Sequence, residues 1–174
     1  MKPILRVAVI GMLAATTVAS QVVLAFVPNV EVVTLLFIIY AINLRTSDAF
    51  LIVIVFTIIE GLIWGISDWM IGYLWIWSLL VLVVSITKKI IKDNADIWAL
   101  LAGCWGLAFG LFFALQWALL YGINAGYAYW LKGIAFDLIH MASNYIIVLL
   151  LFTPINKQFR NIYQRLEVAY GHHD

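Results

Sequence analysis

One feature governs what this chain can fold into: six apolar runs follow one another with only short breaks between them. They cover residues 4–27, 30–44, 49–65, 69–86, 97–121 and 134–152. A helix rising 1.5 Å per residue needs about 20 mostly apolar residues to cross a bilayer. The runs therefore predict an all-α integral membrane protein with six transmembrane helices, the second being the shortest. Hydrophobic residues make up 66% of the chain and charged residues 11%, whereas ordinary soluble domains are roughly half apolar and about a quarter charged. A soluble fold of this size has no interior large enough for that excess, so lipid must solvate much of it. A disordered chain, a nucleic-acid reader and an ordinary soluble enzyme are excluded. The single cysteine, Cys104, excludes an internal disulfide framework and a cysteine-based metal cluster. No metal site and no covalently bound cofactor is expected, and His172 and His173 read as the end of the chain rather than as ligands.

The basic residues orient the bundle. With six spans both termini lie on one side, together with Lys2, Arg6, Arg45, Lys88, Lys89, Lys92, Lys157, Arg160 and Arg165, while Lys132 alone lies on the other. Cytoplasmic loops carry the excess of Lys and Arg, so the termini are expected in the cytoplasm of a prokaryotic plasma membrane. The first run, preceded by Lys2 and Arg6, is too long for a signal-peptide core and reads as an uncleaved helix. Residues 1–154 form the expected six-helix domain, and 155–174 a polar cytoplasmic tail.

The opposite, outer side is unusually aromatic. Trp64, Trp69, Trp75, Trp77, Trp117 and Trp130 fall at or near outer helix ends, joined by Tyr73, Tyr121, Tyr127 and Tyr129. An interfacial belt explains some of them. A belt alone should be similar on both faces, yet the inner side has little beyond Trp98, Tyr163 and Tyr170, so the surplus points to an aromatic-lined pocket open to the outside. Polar residues within apolar runs point the same way, because they are costly there and often mark a site. Asn29, Glu31 and Thr34 open the second run, Glu60 comes late in the third, Asp68 follows it, and Gln116 lies near the outer end of the fifth. Asp137, His140 and Asn144 recur at spacings of three and four and share one helix face. Each alone could be an interhelical hydrogen bond; as a set under an aromatic rim they read as a ligand site. Lys132 is placed to pair with Asp137 or Glu31. The candidate binding residues are Asn29, Glu31, Trp64, Asp68, Trp69, Tyr73, Gln116, Asn124, Tyr127, Trp130, Lys132, Asp137 and His140.

The first helix carries a different signal. Gly11, Ala15 and Ala19 recur every four residues, a smooth stripe that lets another helix approach closely. Packing within the chain is the plain alternative, and Gly103, Gly106 and Gly110 form a comparable set on the fifth run.

Taken together, Ala15-xxx-Ala19, Pro28-Asn29-Val30-Glu31, and Gly133-Ile134-Ala135-Phe136-Asp137-Leu138-Ile139-His140 followed by Asn144 resemble the substrate-binding S components of energy-coupling factor vitamin transporters. The resemblance covers the whole chain. It implies a protein that binds a vitamin from outside, docks through the helix-one alanine face onto a membrane coupling subunit bearing two cytoplasmic ATPases, and topples to release its ligand inward. Gly11, Ala15 and Ala19 would then be partner contacts. ATP would be hydrolysed on the partners only, since this chain has no GxxxxGK[ST] loop. The subgroup most resembles the cobalamin-specific S components. The near absence of outer cations agrees with a bulky, nearly neutral ligand, because anionic ligands recruit Lys and Arg. Riboflavin, folate, pantothenate, thiamine, biotin and a queuosine precursor are the alternatives. Glu60, His140 and Asn144 also resemble, more remotely, intramembrane glutamic proteases of the CAAX-processing type; that family carries a paired Glu-Glu, whereas here Gly61 follows Glu60.

Overall fold

The computed structural model describes residues 3–171; Lys2, His172 and His173 lie outside them. The described residues are helical apart from short turns and irregular links, with no strand. The helices are α1 (Pro3–Leu24), α2 (Val33–Asn43), α3 (Thr46–Trp64), α4 (Trp69–Ile91), α5 (Ala95–Tyr121) and α6 (Ile123–Gly171). All but α2 are long and apolar enough to cross a membrane.

The second run departs from expectation. Only 11 of its residues are helical, roughly 16 Å of rise, about half of a ~30 Å hydrocarbon core. The cause lies in the residues before it. Helix α1 stops at Leu24, Pro28 brings no N–H, and Asn29 sits in the left-handed region at φ 58°, which Asn tolerates better than most residues. Glu31 then restarts the helix: its carboxylate accepts from the Thr34 N–H at 2.8 Å and from the Thr34 hydroxyl at 2.6 Å. Eight of the 11 residues of α2 are buried, so it forms the axis of the bundle rather than a lipid-facing span. Phe37 packs edge-on against Phe56 and Tyr40, with centroids 5.6 and 6.3 Å away, and lies 5.4 Å from Trp77.

The sixth run also differs. Its apolar pattern predicts a start at Ile134 and a close at Pro154, with a separate tail. Instead one 49-residue helix starts at Ile123 and carries Pro154 within it. Gly122, at φ 94°, reverses the chain directly after α5, which leaves no room for a mixed loop. An interior proline costs about 3 kcal/mol. Anchors on both sides of it oppose a break: Phe152 and Asn156 are buried, and Asn156 bonds Asn43 at 2.6 Å and Asp93 at 3.3 Å. At roughly 74 Å the helix is far longer than the ~30 Å apolar layer.

Two glycine patterns are used in opposite ways. On α5 the glycines face α6. A Cβ on Gly106 would sit 2.7 Å from the His140 carbonyl, one on Gly103 would sit 3.3 Å from the Tyr145 Cβ, and one on Gly110 would run into the Asp137 carboxylate. On α1, Gly11 has nothing within 4 Å of where its Cβ would be, and Gly11, Ala15 and Ala19 are all exposed. The α1 stripe is not consumed by internal packing.

The basic residues gather where α2 and α4 end. Arg6 pairs with Asp48 across 2.8 Å through Nε. Lys88 donates to the Ala41 and Ile42 carbonyls at 2.8 and 3.3 Å. Arg160 grips both Asp93 oxygens at 2.8 Å and Asn43 at 2.7 Å. Lys132 lies on the other half of α6, toward the opposite end.

Candidate ligand-binding site

The non-helical segment 25–32 sits at the end of the bundle away from those basic residues. Irregular backbone at membrane depth is tolerated where it is covered by protein or lines a cavity, and here it lines one of about 320 Å³. The floor and walls come from Gln21 of α1, Glu60 and Trp64 of α3, Trp69, Tyr73 and Trp77 of α4, Phe109 of α5 and His140 of α6. A second cavity of about 480 Å³ adjoins it, with Asn29, Trp69, Tyr73 and Phe109 common to both, and adds Phe113, Tyr129, Lys132 and Asp137.

Polar side chains are held in place from one helix to the next. The His140 Nε2 lies 3.1 Å from the Glu31 Oε1. Asn144 donates to the Thr34 hydroxyl at 3.0 Å, and Ser143 donates to the Asn29 carbonyl at 2.8 Å. Asp137 accepts from the Gly110 N–H at 3.0 Å, an approach that a side chain at Gly110 would block. Gln21 donates to the Tyr73 hydroxyl at 2.9 Å and lies 3.4 Å from the Glu60 Oε2. Aromatic rings complete the walls: Trp69 and Tyr73 meet edge-to-face at 5.0 Å, Trp77 and Phe109 lie tilted at 5.3 Å, and Phe109 and His140 meet edge-to-face at 5.0 Å.

Part of this polarity has no partner. Seven buried side-chain atoms lack a hydrogen bond among the described residues. Four of them, the Glu60 Oε1, Trp77 Nε1, His140 Nδ1 and Asp137 Oδ2, belong to residues lining the two cavities. Leaving such a group unsatisfied costs about 1–3 kcal/mol. Their concentration beside one space fits a site built for a polar occupant.

Of the sequence candidates, Asn29, Glu31, Trp64, Trp69, Tyr73, Lys132, Asp137 and His140 line these cavities. Asp68, Gln116, Asn124, Tyr127 and Trp130 do not. Gln116 is a strut: it accepts from Trp75 at 3.1 Å and donates to the Asp68 carbonyl at 2.7 Å, tying α5 to the α3–α4 loop. Asp68, half-buried in the α3–α4 loop, accepts from Ser67 at 2.8 Å and Tyr121 at 3.1 Å, bonds that hold its carboxyl below the usual carboxylate range. Asn124, Tyr127 and Trp130 are exposed on the first turns of α6, because that helix begins earlier than the polar, Gly-containing stretch suggested. Lys132 makes no ion pair among the described residues: Glu31 is taken by His140, and Asp137 by the Gly110 N–H. Sequence reasoning left out Gln21 and Phe109, and counted Trp77 and Tyr129 among the outer aromatics without including them in the candidate site. Gln21, a lone amide near the end of an apolar run, was the available signal. Comparison with protein-family models, curated proteins and solved structures finds no match for this chain.

Proposed function

We propose that this chain is the substrate-binding membrane subunit of an ATP-driven vitamin importer, of the S-component type that its sequence resembles. The observation that carries the reading is the cavity under segment 25–32, whose lining residues hold buried polar atoms without partners. Buried polar groups ordinarily have a partner, and a polar occupant of the cavity would supply one. On this reading the basic end is cytoplasmic, the cavity takes its ligand from outside, and the exposed Gly11, Ala15 and Ala19 stripe docks a membrane coupling subunit that carries two ATPases. Toppling of the whole chain then delivers the ligand inward. Cobalamin is the vitamin the resemblance implies; a corrinoid with its nucleotide tail is larger than either cavity, so it would have to displace the α1–α2 segment to enter.

Uptake of labelled vitamins by cells expressing this chain, with and without the coupling subunit and ATPases, tests the proposal. Uptake that requires all components and is lost in Ala15→Trp supports it. Uptake that persists without the ATPases points to an autonomous carrier.

A further inference from the structure

The walls of the 320 Å³ cavity carry an unequal charge. Glu31 and Glu60 line it, together with His140, and neither Lys nor Arg does. The two carboxylates are not equivalent. Glu31 is fully engaged, by His140 through one oxygen and by Thr34 through both. Glu60 is 0% exposed, has one oxygen without a partner, and otherwise has the Gln21 amide at 3.4 Å and the Trp64 indole beside it. A buried carboxylate needs a compensating charge or a full set of donors; this cavity offers Glu60 no Lys or Arg and leaves one of its oxygens without a donor. Lys132, the nearest cation along α6, belongs to the adjoining cavity with Asp137.

The remaining walls supply a second preference. Trp64, Trp69, Tyr73 and Trp77 line the same space. Aromatic faces attract a cation through their quadrupole, and weakly hydrated organic cations most readily. Phosphate and carboxylate groups meet the opposite field. Aromatic walls around a carboxylate with one unpartnered oxygen favour a cation, and a cavity of about 320 Å³ limits the ligand to a small molecule.

We infer that the cavity takes an organic cation carried on or beside an aromatic ring, with Glu60 as its counter-charge and Trp64, Trp69 and Tyr73 as its ring contacts. This inference rests on reading the cavity as the site of the imported ligand. It is tested on the purified full chain in nanodiscs, without any partner, so its failure is separable from failure of the importer reading. Isothermal titration compares three cations (tetramethylammonium, 1-methylnicotinamide and thiamine) with neutral riboflavin and cobalamin and with anionic folate and pantothenate. The expected result is saturable binding of the ring-bearing cations, weakened about tenfold or more in Glu60→Gln and several-fold in Trp64→Leu. Trp64 is 56% exposed, so its replacement leaves the core intact and keeps the test valid if Glu60→Gln fails to fold. Gln also mimics a protonated Glu60, so a ligand that needs only a neutral partner there binds Glu60→Gln unchanged. Preference for an anionic or neutral compound, equal cation affinity in folded Glu60→Gln or Trp64→Leu, or no cation binding to the wild-type chain overturns the inference.

Discussion

Adding one methyl group at Gly106 tests whether α6 is seated by the smooth face of α5. In Gly106→Ala the new Cβ lies 2.7 Å from the His140 carbonyl carbon and oxygen and 2.9 Å from the Met141 nitrogen. These are backbone atoms in mid-helix and have no rotamer to yield. Reaching ordinary contact at 3.4 Å requires α5 and α6 to part by about 0.7 Å. Overpacking of this kind costs about 1–3 kcal/mol, against which alanine gains about 1 kcal/mol over glycine in helix propensity. Gly11→Ala is the matched control: the same substitution in a helix, with nothing within 4 Å of the new atom, so only the propensity gain remains. The two variants should therefore differ by about 1–3 kcal/mol, a separation of roughly 2–12 °C for a chain of this size, with Gly11→Ala the higher. Denaturation temperature in a single detergent, followed by helical signal, reads this directly. Because His140 lines the cavity, Gly106→Ala should also weaken ligand binding. Equal denaturation temperatures, or a lower one for Gly11→Ala, would refute the assignment of the α5 glycines to internal packing and of the α1 stripe to a free surface.

Three further predictions follow from individual groups. Trp77→Phe removes an indole N–H that has no partner among the described residues, a gain that offsets the void the smaller ring leaves at this buried position, so denaturation temperature should change little while ligand affinity measured by titration falls several-fold. Asn144→Ala leaves the Thr34 hydroxyl without its 3.0 Å donor and opens a small void, at a cost of about 1–3 kcal/mol, read as a lower denaturation temperature. Asp68 has a depressed pKa in the folded chain, so its contribution is present above the ordinary carboxylate range and is lost as pH falls through the lowered value. Its titration, followed by carboxyl NMR, should move up in Tyr121→Phe, which removes the 3.1 Å bond; no change would mean that the Ser67 bond alone sets it.

Most of the helical architecture was legible from the apolar runs, because bilayer thickness imposes a length that few other structures share. The errors fall where tertiary contacts replace lipid. The run at 30–44 is apolar because α2 is wrapped by protein, and hydropathy cannot distinguish a lipid-facing helix from a buried one. Pro154 read as a terminator because the bonds that Asn156 and Arg160 make to distant Asn43 and Asp93 have no local signature. At the site, the spacing of Asp137, His140 and Asn144 placed them on one face, and that face points inward. Asn124, Tyr127 and Trp130 lie away from the two cavities for a definite reason: once Gly122 turns the chain immediately, they ride on an exposed helical face. Gln21 and Phe109 reach the cavity through helix rotation, which composition does not reveal.

The central claim is that this chain works as one subunit of an ATP-driven importer, and what accompanies it out of its native membrane tests that claim most directly. Affinity purification in mild detergent should recover a membrane coupling subunit and two ATPases with the wild-type chain. Ala15→Trp and Ala19→Trp, which place a bulky ring on the exposed α1 stripe, should lose them while remaining folded. Recovery of the chain alone from cells that contain those ATPases, or undiminished recovery of the partners with either variant, would contradict it.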